Sequence, residues 1–302
     1  MIGMEPVLPD GLASRPLTMT DVDAVAILWM ACEQHFFGEV FVDRADVVSA
    51  WSSPSMDVAT DSLGVFDAGE LVGVVLLDQH QLSVDVSPTH LGRGLGEAMV
   101  EWGEGLASAR GTADVAQEIP GPDLAAARIL AARGYVHSHT SWILRMPEGS
   151  PLIHHPIPDD VTIRGFIAAD AEPTYRVIED AFSGWPGRSR RSFEEWRIQN
   201  LQREGTDPSH FFVATVGEDV VGACVVHDSG TTAWVHQVAV DEARRGQGIG
   251  QQLLAEAFEA GRRRGLPIGE LSTDTRTGAV GLYERLGMHV VVEFTNWRND
   301  LG

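Results

Sequence analysis

Apolar and polar positions along this chain switch between two periods, and the switches come in the same order twice. In the second half, residues 211–215 and 220–226 are β-rich runs on either side of the turn Val216-Gly-Glu-Asp219, a pattern that predicts a hairpin. A further β-rich run, residues 234–240, leads into a glycine cluster. From 251 to 264 the period lengthens: Leu253, Leu254, Ala257 and Phe258 recur at helical spacing, and Gly265-Leu-Pro267 stops the helix. The same reasoning predicts a helix over 170–182, a strand over 270–273, a short helix over 279–286 and a last strand over 289–294.

The first half answers segment for segment. Residues 63–77 correspond to 211–226, and Gly92, Gly94 and Gly96 correspond to Gly246, Gly248 and Gly250. Later, Arg133-Gly-Tyr135 corresponds to Leu286-Gly-Met288. Three markers in one order point to an internal duplication. Each half is therefore expected to be mixed α/β, with a mainly antiparallel sheet flanked by helices. The Pro-, Gly- and Ser-rich stretch 147–158 has linker composition, which places two domains at 1–149 and 150–302.

Composition narrows the function. At 302 residues with 44% hydrophobic content, the chain can bury two cores. Its 43 Asp and Glu against 22 Lys and Arg leave a net charge of −21, which opposes nucleic acid and anionic membranes and draws in a cationic small substrate. No apolar run approaches the roughly 18 to 20 residues of a membrane helix, and residues 1–11 lack the basic-then-apolar order of a secretory signal, so a cytoplasmic protein is expected. Cys32 and Cys224 each sit in an apolar run without a CxxC or Cys/His cluster. Both are expected to be buried thiols, with no metal site and no disulfide framework.

The candidate chemistry begins at Arg244-Arg-Gly-Gln-Gly-Ile-Gly250. A strand ending in a glycine-rich turn that opens a helix leaves backbone N–H groups unpaired at the helix mouth, where phosphate can sit. Gly246, Gly248 and Gly250 let the main chain approach an anion and take positive φ, while Arg244 or Arg245 adds charge. The lysine and Ser/Thr of a P-loop are missing and the glycines fall at every second position, which excludes an NTPase and a dinucleotide-binding Rossmann domain.

Residues 238–250, Val-Ala-Val-Asp-Glu-Ala-Arg-Arg-Gly-Gln-Gly-Ile-Gly, followed by Gly281-Leu-Tyr-Glu-Arg-Leu-Gly-Met288, resemble the GNAT superfamily of acyl-CoA-dependent N-acetyltransferases. Arg245-Gly-Gln-Gly248-Ile-Gly250 falls on that family's Arg/Gln-x-x-Gly-x-Gly/Ala loop, and the duplication resembles its tandem, two-domain members. The resemblance implies acetyl-CoA as donor. It implies that the backbone from Arg245 through Gly246, Gln247, Gly248, Ile249, Gly250 and Gln251 holds the pyrophosphate, and that the main chain at Val238, Ala239 and Val240 pairs with the pantetheine arm. It further implies that Tyr283 protonates the departing thiolate, a task suited to a phenol of pKa about 10; a half-buried structural aromatic is the alternative there. The asparagine that the family often places before this helix is absent, and Thr275 is the closest substitute.

An amine of pKa about 10.4 must lose a proton before it attacks a thioester. Many relatives carry a glutamate on the strand before the loop, but in Trp234-Val-His-Gln-Val-Ala-Val240 the titratable side chain is His236, a candidate base with an ordinary pKa of about 6.5. Glu270, Asp228 and His227 are further candidates. Residues 181–196 occupy the region where the family's first two helices shape the acceptor pocket, so Trp185, Glu194 and Trp196 are candidate lining residues. An amphipathic helix with Trp196 in the core is the equal alternative.

The first copy departs from the pattern. It has Leu91 where Arg/Gln is expected and Leu130 where Tyr283 stands. Chemistry is therefore expected in the second half alone, while the first half either holds coenzyme A at residues 93–97 or only completes the core and one wall of the acceptor site. The resulting expectation is an N-acetyltransferase, monomeric or homodimeric, moving acetyl from acetyl-CoA to a primary amine of a small molecule by direct attack. A non-catalytic acyl-CoA sensor and a protein N-acetyltransferase stay open at this point.

Overall fold

A computed structural model describes residues 6–52, 55–184 and 190–302. The chain divides into two compact units, Met1–Ser141 with Val292–Gly302 (unit 1) and Trp142–Val291 (unit 2).

Unit 1 contains β1 (Leu12–Arg15), α1 (Val22–Phe37), α2 (Arg44–Trp51), α3 (Val58–Asp61), β2 (Ser62–Asp67), β3 (Glu70–Asp78), β4 (Gln81–Val86), α4 (Leu95–Ala109), β5 (Asp114–Pro120) and α5 (Leu124–Ala132), and β6 (Val136–Met146) begins in it. β1 to β4 pair antiparallel in chain order, and β4 meets β5 in parallel at one residue pair, Gln81 with Ala116. Side chains on β3 alternate between two cores, as the pleat requires: Val75 and Leu77 face Leu95 and Met99 of α4, whereas Val74 and Leu76 face Val25 and Leu28 of α1.

Unit 2 repeats this plan. It contains β7 (Thr162–Gly165), α6 (Ala171–Phe182), α7 (Phe193–Leu201), β8 (Phe212–Val216), β9 (Asp219–Ser229), β10 (Thr232–Val240), α8 (Ile249–Arg263), β11 (Ile268–Asp274) and α9 (Val280–Arg285), and β12 (His289–Asp300) begins in it. The strand order is β6–β11–β10–β9–β8–β7, antiparallel from β7 to β10 and parallel between β10 and β11. On β9, Cys224 and Val226 join Leu253 and Phe258 of α8, while Ala223 and Val225 join Ile178 of α6 and Trp196 of α7. A strand covered on both faces gains from an apolar residue at every position, which is why residues 220–226 read as a continuous run.

Close packing fixes where α8 begins. A Cβ on Gly261 would come within 2.8 Å of Ala233, and one on Gly269 within 2.5 Å of Phe258. Larger residues there would push α8 off the sheet and move its N-terminus away from the end of β10.

The units exchange their last strands. Residues 294–300 of β12 pair antiparallel with β5 in unit 1. β6, from Trp142 onward, belongs to unit 2, where it neighbours β11 and Arg145 Nε donates to Glu270 at 2.5 Å. The division therefore differs from a cut at 149/150: it falls within β6 and again within β12. The antiparallel sheet flanked by helices is as expected in both halves. No described helix is long and apolar enough to cross a membrane. Cys32 and Cys224 are buried and unpaired.

Candidate active site

The site in unit 2 starts from a fault in β10. Val235 pairs with Val226 and Gln237 with Val225, which leaves His236 as an extra, bulged residue. A bulge bends its strand and sharpens the local twist. Pairing with β11 stops at the same place, with Val235 opposite Leu271. Residues 238–240 remain bonded to β9 through Cys224, Ala223 and Gly222. Their other edge is open.

The open edge runs into the mouth of α8. Gly246 and Gly248 have φ of 76° and 80°, conformations that favour glycine, and Gly248 is the helix N-cap without a side-chain cap. At Gly248 a Cβ would also lie 2.7 Å from Pro156 O. No described residue accepts a hydrogen bond from the N–H groups of residues 246–251; the first such bond is Gln252 N–H to Gly248 O at 3.0 Å. Six unpaired amides at the positive end of a helix are ready-made for an anion. Arg244 Nη2 is held by Asp160 at 2.9 Å, and Arg245 Nε donates to Val240 O at 3.3 Å.

These elements enclose a cleft of about 290 Å³ lined by Val238, Ala239, Val240, the glycine loop with both arginines, Gln251, Leu254, Leu282 and Tyr283. α9 brings in Tyr283, which is 9% exposed and packs in the α8 core. Its hydroxyl has no hydrogen-bond partner among the described residues, and burial, with the Cys224 thiol nearby, pushes its pKa up to about 12. Leu254 and Leu282 extend the expected set of lining residues. The strap 154–156 was legible only as linker, yet His155 N–H donates to Gln252 Oε1 at 2.9 Å and Gln252 Nε2 lies 3.0 Å from His154 Nδ1.

The other candidates separate into groups. His236 stands at the bulge with its ring stacked on His227, centroids 4.8 Å apart. Solvent reaches the His236 ring, but the protein packed around it, helped by the charges of Arg191 and Arg203, lowers its pKa to about 4. Burial, then the nearby His236 and Arg203, holds His227 far below the usual histidine range, and its Nε2 has no described partner. Asp228 is engaged by Arg264 at 2.8 Å and by His210 at 3.0 Å, and Glu270, 4% exposed, by Arg145. Neither borders the cleft.

Thr275 is exposed in the turn before α9. That turn is held instead by Asp274, which accepts from Arg276 N–H at 2.8 Å, and by Thr277, whose Oγ1 accepts from Ala279 N–H at 3.1 Å. Trp196 is fully buried, and its Nε1 donates to Gln237 Oε1 at 2.9 Å; it is a core residue that links α7 to β10 and has no surface to offer an acceptor. Glu194 points to solvent and pairs with Arg197 at 2.7 Å. Trp185 lies outside the described residues.

Comparison with known proteins fits this geometry. The acetyltransferase (GNAT) family profile matches residues 141–288, nearly the whole of unit 2. A mycothiol acetyltransferase of Thermobispora bispora is 30% identical over 255 residues, covering 78% of this chain and 81% of that protein. The crystal structure of a GCN5-related N-acetyltransferase from Sphaerobacter thermophilus is 31% identical, covers 98% of this chain and 97% of that one, and superposes with a TM-score of 0.78. A tandem GNAT protein from the clavulanic acid biosynthesis pathway shares the fold, with a TM-score of 0.74 at 16% identity, over 96% of this chain and 99% of that one.

Proposed function

The chain belongs to the GNAT acetyltransferase family, in its tandem form, and from that premise we propose that unit 2 transfers acetyl from acetyl-CoA to the primary amine of a small molecule. The observation that carries this proposal is the convergence, in one cleft, of an open strand edge, an uncapped helix mouth and a protonated phenol. Unit 1 is proposed to be non-catalytic, because Leu130 at the position of Tyr283 has no proton to give. The protein is proposed to work in the cytoplasm, as a monomer or homodimer.

The residues present fit coenzyme A. The amides of 246–251 and the Arg245 guanidinium suit a pyrophosphate, and the free edge of 238–240 suits an amide-bearing arm added as a further strand. When bound, acetyl-CoA supplies an activated thioester carbonyl. Tyr283 Oη, kept protonated by its raised pKa, delivers a proton to the departing sulfur. No cysteine, serine or lysine lines the described cleft and Cys224 is buried, which supports direct attack by the amine without an acyl-enzyme. His236 is neutral above about pH 4 and accepts the amine's proton, directly or through water. Lying roughly six units below an alkylamine, it passes that proton on to solvent and does not store it.

The named relatives favour a more specific version, in which the acceptor is the amine that mycothiol acetyltransferases acetylate. Thiol release from acetyl-CoA, measured with that acceptor among a panel of small amines, tests both readings. Turnover with one amine that falls about 100-fold in Tyr283→Phe supports acetyl transfer in unit 2. Turnover indifferent to Tyr283→Phe rejects it, and a panel in which the mycothiol-type acceptor is inert rejects the specific version.

A further inference from the structure

The wedge of unit 1 has the backbone of the unit-2 cleft and the opposite charge. β4 and β5 part after a single parallel pair, and between them lies a cavity of about 210 Å³ walled by Phe36, Val86, Val100, Ile119, Ile129 and Leu130. The loop at its mouth turns like its counterpart, with φ of 74° and 81° at Gly92 and Gly94 against 76° and 80° at Gly246 and Gly248. The side chains do not correspond. Two arginines and no carboxylate border the cleft of unit 2 among the described residues. Here four carboxylates, Asp85, Glu97, Glu118 and Asp123, border the cavity, with no lysine or arginine. Its histidine, His90, lies with Nε2 3.0 Å from Asp67.

Magnitudes decide which ligand charge this cavity takes. The mouth of α4 contributes about half a positive charge, which Glu97 in its first turn already outweighs. Three carboxylates remain. Asp123 Oδ1 caps α5 through the N–H groups of Ala125 and Ala126, and Glu118 Oε2 accepts from Ser141 Oγ at 2.6 Å and Asn296 Nδ2 at 3.0 Å. None of the three is in a described ion pair, and Asp85 faces the indole of Trp29 on α1, whose hydrogen bond offsets part of the cost of its burial. Aligning Gly92 with Gly246 sets Asp85 where unit 2 has Ala239, so an acid stands in unit 1 at the position of a small apolar residue in unit 2. Burial, opposed by the Trp29 hydrogen bond and aided by the charge of Glu33 nearby, raises its pKa to about 6.

We propose that this cavity binds a protonated primary amine carried on an apolar body, with the ammonium on Asp85 and the body against the wall formed by Phe36, Ile119 and Ile129. The site is separate from the proposed chemistry of unit 2 and does not depend on it. An organic polyphosphate such as coenzyme A meets repulsion there.

Calorimetric titration of phenethylammonium chloride into the full chain tests the proposal. The expected result is a saturable site that survives Arg245→Ala, weakens at least tenfold in Asp85→Asn and in Ile129→Trp, and prefers the amine at least tenfold over neutral 2-phenylethanol. Asp85→Asn removes a buried charge, so the fold should tolerate it; Ile129→Trp fills the cavity without touching the acid. Absence of saturable binding, equal affinity in both variants, or equal affinity for the alcohol overturns the proposal. So does a second molecule of coenzyme A per chain that is lost in Gly94→Trp.

Discussion

At the mouth of α4 and at the mouth of α8 the backbone turns in the same way, through Gly92 and Gly94 in one unit and Gly246 and Gly248 in the other. Around those turns the side chains have gone separate ways. Unit 2 has Arg245, Ala239 and Tyr283; unit 1 has Leu91, Asp85 and Leu130. β10 carries a bulge at His236, whereas β4 pairs with β3 without a register shift. A fold can thus be duplicated whole while the polar residues around its loop diverge, because the sheet and helix packing depend on apolar faces.

Equal damage to the two loops should have unequal effects. Gly248→Trp combines a positive φ with a clash against Pro156 O, and should lower kcat/KM for acetyl-CoA by more than about 1,000-fold. Gly94→Trp carries the same backbone strain, at φ 81°, but meets open space, and should leave turnover within about threefold. Comparable losses in both variants would assign unit 1 a part in the reaction.

The acid comes next. Tyr283→Phe should lower kcat about 100-fold with KM for acetyl-CoA within about threefold, since general-acid catalysis contributes that much in the transition state. Leu130→Phe in unit 1 should leave both parameters unchanged. Arg245→Ala should then raise KM for acetyl-CoA about tenfold, an effect that shrinks in high salt, whereas Leu91→Ala does nothing.

The smallest expected effect concerns pH. With His236 at about 4, below an unfolded value of about 6.5, the neutral imidazole is present throughout the working range. kcat/KM should therefore rise with pH as the amine deprotonates, with no acid limb near 6.5, and His236→Gln should cost only a few-fold. Stability follows the same sign: it is complete above about 6.5 and falls as pH drops toward 4, because the unfolded chain takes up protons that the folded one refuses. Thermal melting at pH 7 and pH 4.5 checks this, with His227→Phe, which removes the more deeply buried ring, expected to flatten the difference.

Much of unit 2 was legible in the sequence because its signals are local. The hairpin around Gly217, the glycine turn and the amphipathic spacing of α8 lie within a few residues of one another. Tyr283 was legible as a candidate because a motif fixes its distance from the loop. The strand exchange was not, since alternation in residues 136–146 and 289–300 tells which face is apolar and not which sheet edge the strand joins. Trp196 illustrates the same limit, because a tryptophan at helical spacing suits a pocket wall and a core equally until a partner such as Gln237 is seen. The ion pair of Glu270 with Arg145 joins residues 125 apart in the chain and left no local trace.

Confinement of the cofactor to unit 2 can be read from calorimetric titration of acetyl-CoA into the wild type and into the Arg245→Ala/Gly248→Trp double variant. One site per chain, absent from the double variant, is the predicted result. Two sites per chain, or a single site that survives both substitutions, would contradict it.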